Sequence, residues 1–146
     1  MLIREVLSVK NGVEIIAIDP DASIAEAVKQ MAEHDIGSLA VLRDGTLMGF
    51  ITERDILRGM HVRGCALTEV KVSELMEKEP LVATLEDSVD YARDAMTKSH
   101  TSHLVVLDES HKLFGVISFH DVARACLKEA SFENALLKRY IKHWPE

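Results

Sequence analysis

Apolar residues in this chain fall into short continuous runs divided by polar turns, and the same series of runs occurs twice. Glu14-Ile15-Ile16-Ala17-Ile18 reads as a strand stopped by Asp19-Pro20-Asp21. Ser23 then begins a helix, with Glu26 at capping-box spacing. Ile24, Ala27, Val28 and Met31 recur at the helical period and form one apolar face. Leu39–Leu42 reads as a buried strand, Asp44-Gly45 as a turn, and Leu47–Ile51 as the returning strand of a hairpin. A further helix begins near Thr52 and runs through Ile56 and Leu57. The second series has a strand at Leu81–Leu85, a helix from Ser88, strands at Leu104–Leu107 and Leu113–Ile117, and a helix from Ser118.

Sliding the sequence along itself by 65 positions makes the duplication explicit. Ser23-Ile24 meets Ser88-Val89, Met31 meets Met96, Leu39 meets Leu104, and Val41-Leu42 meets Val106-Leu107. One extra residue in the second turn moves the offset to 66, which aligns Gly49, Ile51, Thr52, Asp55 and Ile56 with Gly115, Ile117, Ser118, Asp121 and Val122. Upstream, Ile3, Val6 and Leu7 match Val72, Leu75 and Met76, with four extra residues near Lys10–Gly12 in the first copy. Spacing changes confined to turns mark two divergent copies of one supersecondary unit. Each copy is too small to bury much apolar surface alone, so the two are expected to pack around a shared core.

The most informative positions are the paired motifs Gly49-Phe50-Ile51-Thr52-Glu53-Arg54-Asp55 and Gly115-Val116-Ile117-Ser118-Phe119-His120-Asp121. A hydroxyl followed three residues later by a carboxylate is a reciprocal helix cap. The same groups also suit a ligand. Free amides at a helix N-terminus donate to a phosphate or ribose oxygen, a carboxylate accepts from a ribose diol, and the preceding glycine admits a close approach. Spacing leaves both readings open.

Length and composition narrow the rest. The 146 residues amount to one ordinary domain, now divided into two halves. Apolar residues at 47% and charged residues at 28% argue against disorder. A net charge of −7 disfavours nucleic acid as a partner, although a small anion can still find local positive potential. No apolar run reaches the roughly 18 residues of a membrane span, and Met1–Lys10 is too charged for a signal peptide. Two cysteines, Cys65 and Cys126, point to a cytoplasmic chain with small buried thiols. Of seven histidines, His100 and His103 are the closest pair, but no cysteine or acidic cluster joins them at metal-ligand spacing. No nucleophile–base arrangement is visible, so no catalytic residues are expected.

The tandem units, their order strand–helix–strand–strand–helix and the run Gly-Phe-Ile-Thr-Glu-Arg-Asp-Ile-Leu at 49–57 resemble a pair of CBS domains, a Bateman module. The resemblance covers nearly all of residues 1–127 and implies an α/β (α+β) fold. Repeat 1 would span 1–64 and repeat 2 would span 65–127, packed with pseudo-two-fold symmetry, and 128–146 would form an extra C-terminal helix. It further implies two clefts that take AMP, ADP, ATP or S-adenosylmethionine as effector, with no required cofactor and no chemistry of the module's own. By the same carry-over, the first cleft combines Thr52 and Asp55 with Leu81, Val82 and Ala83 at the base and His103 near the phosphate. The second combines Ser118 and Asp121 with Ile15, Ile16 and Ala17, and has Ser38 where the first has His103. Ser38 brings no positive charge, so the second cleft is the poorer phosphate site unless Arg54 or Arg58 compensates. The module would control a partner protein on another chain. A constitutive dimerisation module without nucleotide is the alternative.

After the second copy, Phe132, Leu136, Tyr140 and Trp144 recur every four residues, with Leu137 and Ile141 widening the stripe and Pro145 closing it. Lys138, Arg139, Lys142 and His143 make the other face basic. The stripe either packs back on its own chain or contacts another, as in a homodimer; aromatic residues are favoured interface anchors.

Overall fold

A computed structural model of the chain describes residues 1–9, 15–64 and 66–142. In the first copy the elements are α1 (Ile3–Val9), β1 (Ala17–Ile18), α2 (Ile24–His34), β2 (Ser38–Arg43), β3 (Thr46–Thr52) and α3 (Glu53–Arg63). In the second they are α4 (Val72–Leu75), β4 (Val82–Thr84), α5 (Val89–Ser99), β5 (His103–Leu107), β6 (Leu113–Ser118) and α6 (Phe119–Lys142). The expected order holds in both copies, with a short leading helix added to each. The first strands are shorter than their apolar runs, because β1 meets its neighbour only at Ala17↔Ala40 and Ile18↔Val41. Glu14, Cys65, His143, Trp144 and Pro145 lie outside the described residues.

Each copy folds into a three-stranded sheet in which the first strand runs parallel to the second and the second antiparallel to the third. Both hairpins shift register at the matching place, between Val41 and Leu42 and between Val106 and Leu107. Asp44 and Gly45 take φ of 51° and 77°, as a tight hairpin turn requires. Ser23 accepts a hydrogen bond from the Glu26 amide at 3.1 Å, and Ser88 accepts one from the Tyr91 amide at 3.0 Å. Only the hydroxyl half of the expected Ser23 capping box forms. Both helices end on a left-handed residue, Asp35 and His100, each at φ 52°.

The copies do not share one core. Two cores form, and each takes in the other copy's leading segment. Ile3 and Leu7 of the first copy are buried with Ala83, Met96, Leu104 and Ile117 of the second. Val72 of the second copy is buried with Ile24, Leu39, Ile51 and Ile56 of the first, with Leu75 and Met76 packed against them. Backbone bonds fasten both crossings: Ile3 N to Asp87 O at 2.9 Å and Val89 N to Met1 O at 2.9 Å, then Ile24 N to Val70 O at 2.9 Å and Val72 N to Ala22 O at 2.8 Å.

The last helix differs from its counterpart in length. Gly64, at φ 82°, ends α3 after 11 residues. No glycine or proline interrupts α6, which runs unbroken for 24 residues, so the C-terminal stripe continues repeat 2's own helix instead of starting a new one.

Candidate functional site

Thr52 is the last residue of β3 and the cap of α3. Its backbone N–H donates to Asp55 Oδ2 at 2.9 Å, its hydroxyl donates to the same oxygen at 3.1 Å, and that hydroxyl accepts from the Asp55 amide at 3.3 Å. Asp55 Oδ1 takes part in none of these bonds. In the second copy Ser118 N donates to Asp121 Oδ2 at 2.9 Å and Ser118 Oγ accepts from Asp121 N at 3.1 Å. Both motifs are therefore reciprocal helix caps. They differ in access: Asp55 is half-buried, and Asp121 is buried.

A cavity of about 780 Å³ lies between the copies, within the size range of small-molecule sites. Thr52 and Asp55 line it from the first copy, and Leu81, Val82 and His103 line it from the second. Five of the six residues expected in the first cleft are thus brought together. The sixth, Ala83, is 2% exposed and belongs to the second core. Neighbouring strand residues point to opposite faces, so Val82 on the cavity side puts Ala83 inside. The His103 ring lies 6.1 Å from the Phe50 ring at 55°, and both line the cavity.

The charged lining was only partly anticipated. Arg54 and Arg58 line this cavity rather than a second one, because α3 carries them on the turns that follow Thr52. Arg54 Nη1 donates to the His100 carbonyl at 2.9 Å, a bond that joins α3 of the first copy to the end of α5 in the second. Arg58 forms no ion pair among the described residues. Against these two guanidinium groups stand four carboxylates, Glu53, Asp55, Glu77 and Glu79. The polar run Ser99-His100-Thr101-Ser102 completes the rim.

None of Ile15, Ile16, Ala17, Ser38, Ser118 and Asp121 lines this cavity. Ile16 packs against the first core. The Ser38–His103 equivalence does hold, since Ser38 pairs with Thr52 and His103 pairs with Ser118 in their hairpins. Gly37 lines the large cavity, and with Asp35 and Ile36 it also lines a smaller one of about 370 Å³. Gly49 admits no ligand. A Cβ there would sit 2.7 Å from the Glu77 carbonyl, so its bareness serves the chain crossing between copies. That crossing is held by reciprocal bonds between Phe50 and Glu77 at 2.9 and 2.8 Å. Among the described residues no three His, Cys, Asp or Glu gather as a metal site, and no helix is long and apolar enough to cross a membrane.

The sequence profile of the CBS domain matches residues 4–62 and 72–128. A CBS domain-containing protein of Arabidopsis thaliana, CBSX3, mitochondrial, is 35% identical over 127 residues, which are 84% of this chain and 61% of that one. This chain therefore spans less than two thirds of that relative's length. The crystal structure of a CBS-domain containing protein from Agrobacterium tumefaciens superposes with a TM-score of 0.81 at 31% identity, covering 86% of this chain and 98% of that one. Two more distant structures share the fold. CBSX2 in complex with AMP has a TM-score of 0.68 at 24% identity, covering 80% of this chain and 90% of its own. The CBS domain pair of protein MJ0100, in complex with 5′-methylthioadenosine and S-adenosyl-L-methionine, has a TM-score of 0.76 at 23% identity, covering 88% and 98%.

Proposed function

The chain belongs to the CBS-domain family, and from that premise we propose that it is a regulatory module that senses an adenosyl ligand in the cleft between its two repeats. One observation carries the reading: a single cavity joins the Thr52–Asp55 cap of repeat 1 to Leu81, Val82 and His103 of repeat 2, with two arginines at its edge. Asp55 Oδ1 accepts the ribose diol. Leu81 and Val82 flank the base. Arg58, with no carboxylate partner among the described residues, takes the 5′-phosphate together with the α3 N-terminus and His103. AMP in CBSX2 and the adenosyl ligands of MJ0100 support the ligand class.

The lining also ranks the candidates. Two guanidinium groups match the charge of one phosphate, and the four carboxylates oppose each further one, so AMP binds in preference to ADP and ATP. Ser118 and Asp121, with Ile15, Ile16, Ala17 and Ser38, make a second and weaker site, because Ser38 supplies no charge where the first has His103. The module does no chemistry itself. It works in the cytoplasm as a homodimer, and ligand binding changes its hold on a separate protein by favouring one packing of the repeats over another.

Calorimetry and thermal unfolding with AMP, ADP, ATP and S-adenosylmethionine test this. A ligand present at about 100 times its Kd adds about 2.7 kcal/mol to the folded state. No stabilisation by any of the four defeats the ligand reading and leaves constitutive assembly, which the exposed apolar face of α6 favours.

A further inference from the structure

Along α6 runs an apolar seam that shares Leu137 and Ile141 with the stripe of Phe132, Leu136 and Tyr140 but follows a different line on the helix. Ala123, Leu127, Ala130, Asn134, Leu137 and Ile141 follow one another at alternating steps of four and three residues. That spacing is a heptad repeat with Leu127, Asn134 and Ile141 at one core position and Ala123, Ala130 and Leu137 at the other. Leu127 is 69% exposed, Leu137 57% and Ile141 71%. The opposite side of the helix faces its own chain: Val122 and Ala125 are buried in the second core, and Glu129 holds the Met1 amino group at 3.0 Å. At about 100° per residue the seam is centred about 130° around the helix from that inward side. Two copies can therefore meet along it with their bodies outboard.

We propose that this seam pairs with the same seam of a second copy of this chain as a parallel two-stranded coiled coil. The proposal gives the homodimer its surface and rests on that part of the functional reading alone. Three features fix the partner and the direction. Large exposed apolar side chains on one helix face need a cover, and a helix end touching little else is marginal in water. Asn134 is the one polar residue in the seam, and in a parallel pair it lies beside its own copy, where the two amides hydrogen-bond; an antiparallel pair would set it against an alanine or leucine. The flanks are complementary as well. Glu133 and Lys138 border the seam on opposite sides, five residues apart, so each Glu133 of a parallel pair reaches the partner's Lys138.

The full chain in solution should have twice the 16.3 kDa mass of one copy by light scattering. Leu137→Glu and Ile141→Glu, both on exposed positions, should each weaken the dimer by roughly tenfold or more, while circular dichroism loses no more than the helicity of the end of α6 and AMP calorimetry stays unchanged. Asn134→Cys, oxidised and mapped by peptide mass, should give a 134–134 disulfide. A dimer that survives both glutamate variants places the interface elsewhere and overturns the seam while sparing the homodimer. An intact dimer that forms no 134–134 disulfide overturns the parallel direction. A wild-type monomer defeats both seam and homodimer, and leaves the ligand reading to its own calorimetry.

Discussion

Asp55 and Asp121 close equivalent caps but differ in burial and in what lies beyond the cap. Replacing either by alanine removes a cap worth about 1 kcal/mol, so both variants should melt earlier, Asp121→Ala by at least as much because its carboxylate is buried. Only Asp55 lines the cavity, and Asp55→Ala should lower AMP affinity roughly tenfold more than Asp121→Ala does in calorimetry; equal losses would remove the asymmetry between the clefts. Arg58→Ala should weaken AMP but leave adenosine almost unaffected, since a phosphate contact is lost and no other. Gly49→Ala should destabilise by about 1–3 kcal/mol in urea, because the new methyl meets the Glu77 backbone, which has nowhere to go. The sequence reveals the caps because hydroxyl and carboxylate sit at fixed local spacing. It misplaces Ala83 because Leu81-Val82-Ala83 is apolar throughout, so nothing in the run tells the cavity side of the strand from the core side. It offers Arg54 and Arg58 to the second cleft, whereas they line the first, for a different reason: helical spacing puts them on a face without saying what that face looks at.

Short elements do work out of proportion to their length when they cross between copies. The helix α4 has four residues and no interior turn of its own. Val72 anchors it in the first core, and Glu74 ties its start, accepting from the Lys71 amide at 2.7 Å and from Arg63 of α3 at 2.7 Å. Those two bonds, the backbone one first, hold the Glu74 carboxyl below its ordinary pKa. A carboxyl whose pKa is depressed on folding stabilises the fold above its unfolded pKa and loses that contribution as pH falls through the folded one. Glu74→Gln should therefore lower Tm at neutral pH, and the gap from wild type should narrow as the pH drops below the usual carboxylate range; a gap constant with pH would assign the loss to shape instead of charge. On the other crossing, Ile3→Ala should cost about 2–5 kcal/mol, although Ile3 belongs to the first copy and empties space in the second core. Neither leading helix was legible from periodicity, since fewer than two turns give no repeat to count. By contrast the hairpins and the long helices α2 and α5 were, with ends off by a residue or two.

At the scale of the whole molecule, the repeat in sequence and the unit of folding do not coincide. Self-similarity shows that one design is used twice, but an exchanged and an unexchanged arrangement leave each copy with the same residues at the same spacings, so the exchange has no signature in sequence. Its energetic consequence is specific. Residues 1–64 on their own lack Val72, Leu75 and Met76 from their core, and residues 66–146 on their own lack Ile3 and Leu7. Each fragment also loses the backbone partners of its crossings, which leaves buried amides unsatisfied. Neither fragment alone should show a cooperative thermal transition, and mixing them should restore one with a one-to-one stoichiometry, read by circular dichroism and light scattering. A fragment that melts cooperatively by itself would show the exchanged segments to be dispensable. The cleft adds a second arm to this experiment, since Thr52 and Asp55 come from one fragment and Leu81, Val82 and His103 from the other. A ligand that contacts both binds only the reassembled pair, so AMP should tighten the association of the two fragments by the factor 1 + [AMP]/Kd. If AMP stabilises the intact chain but leaves fragment affinity unchanged, the ligand sits within one repeat and the cleft between them is not its site.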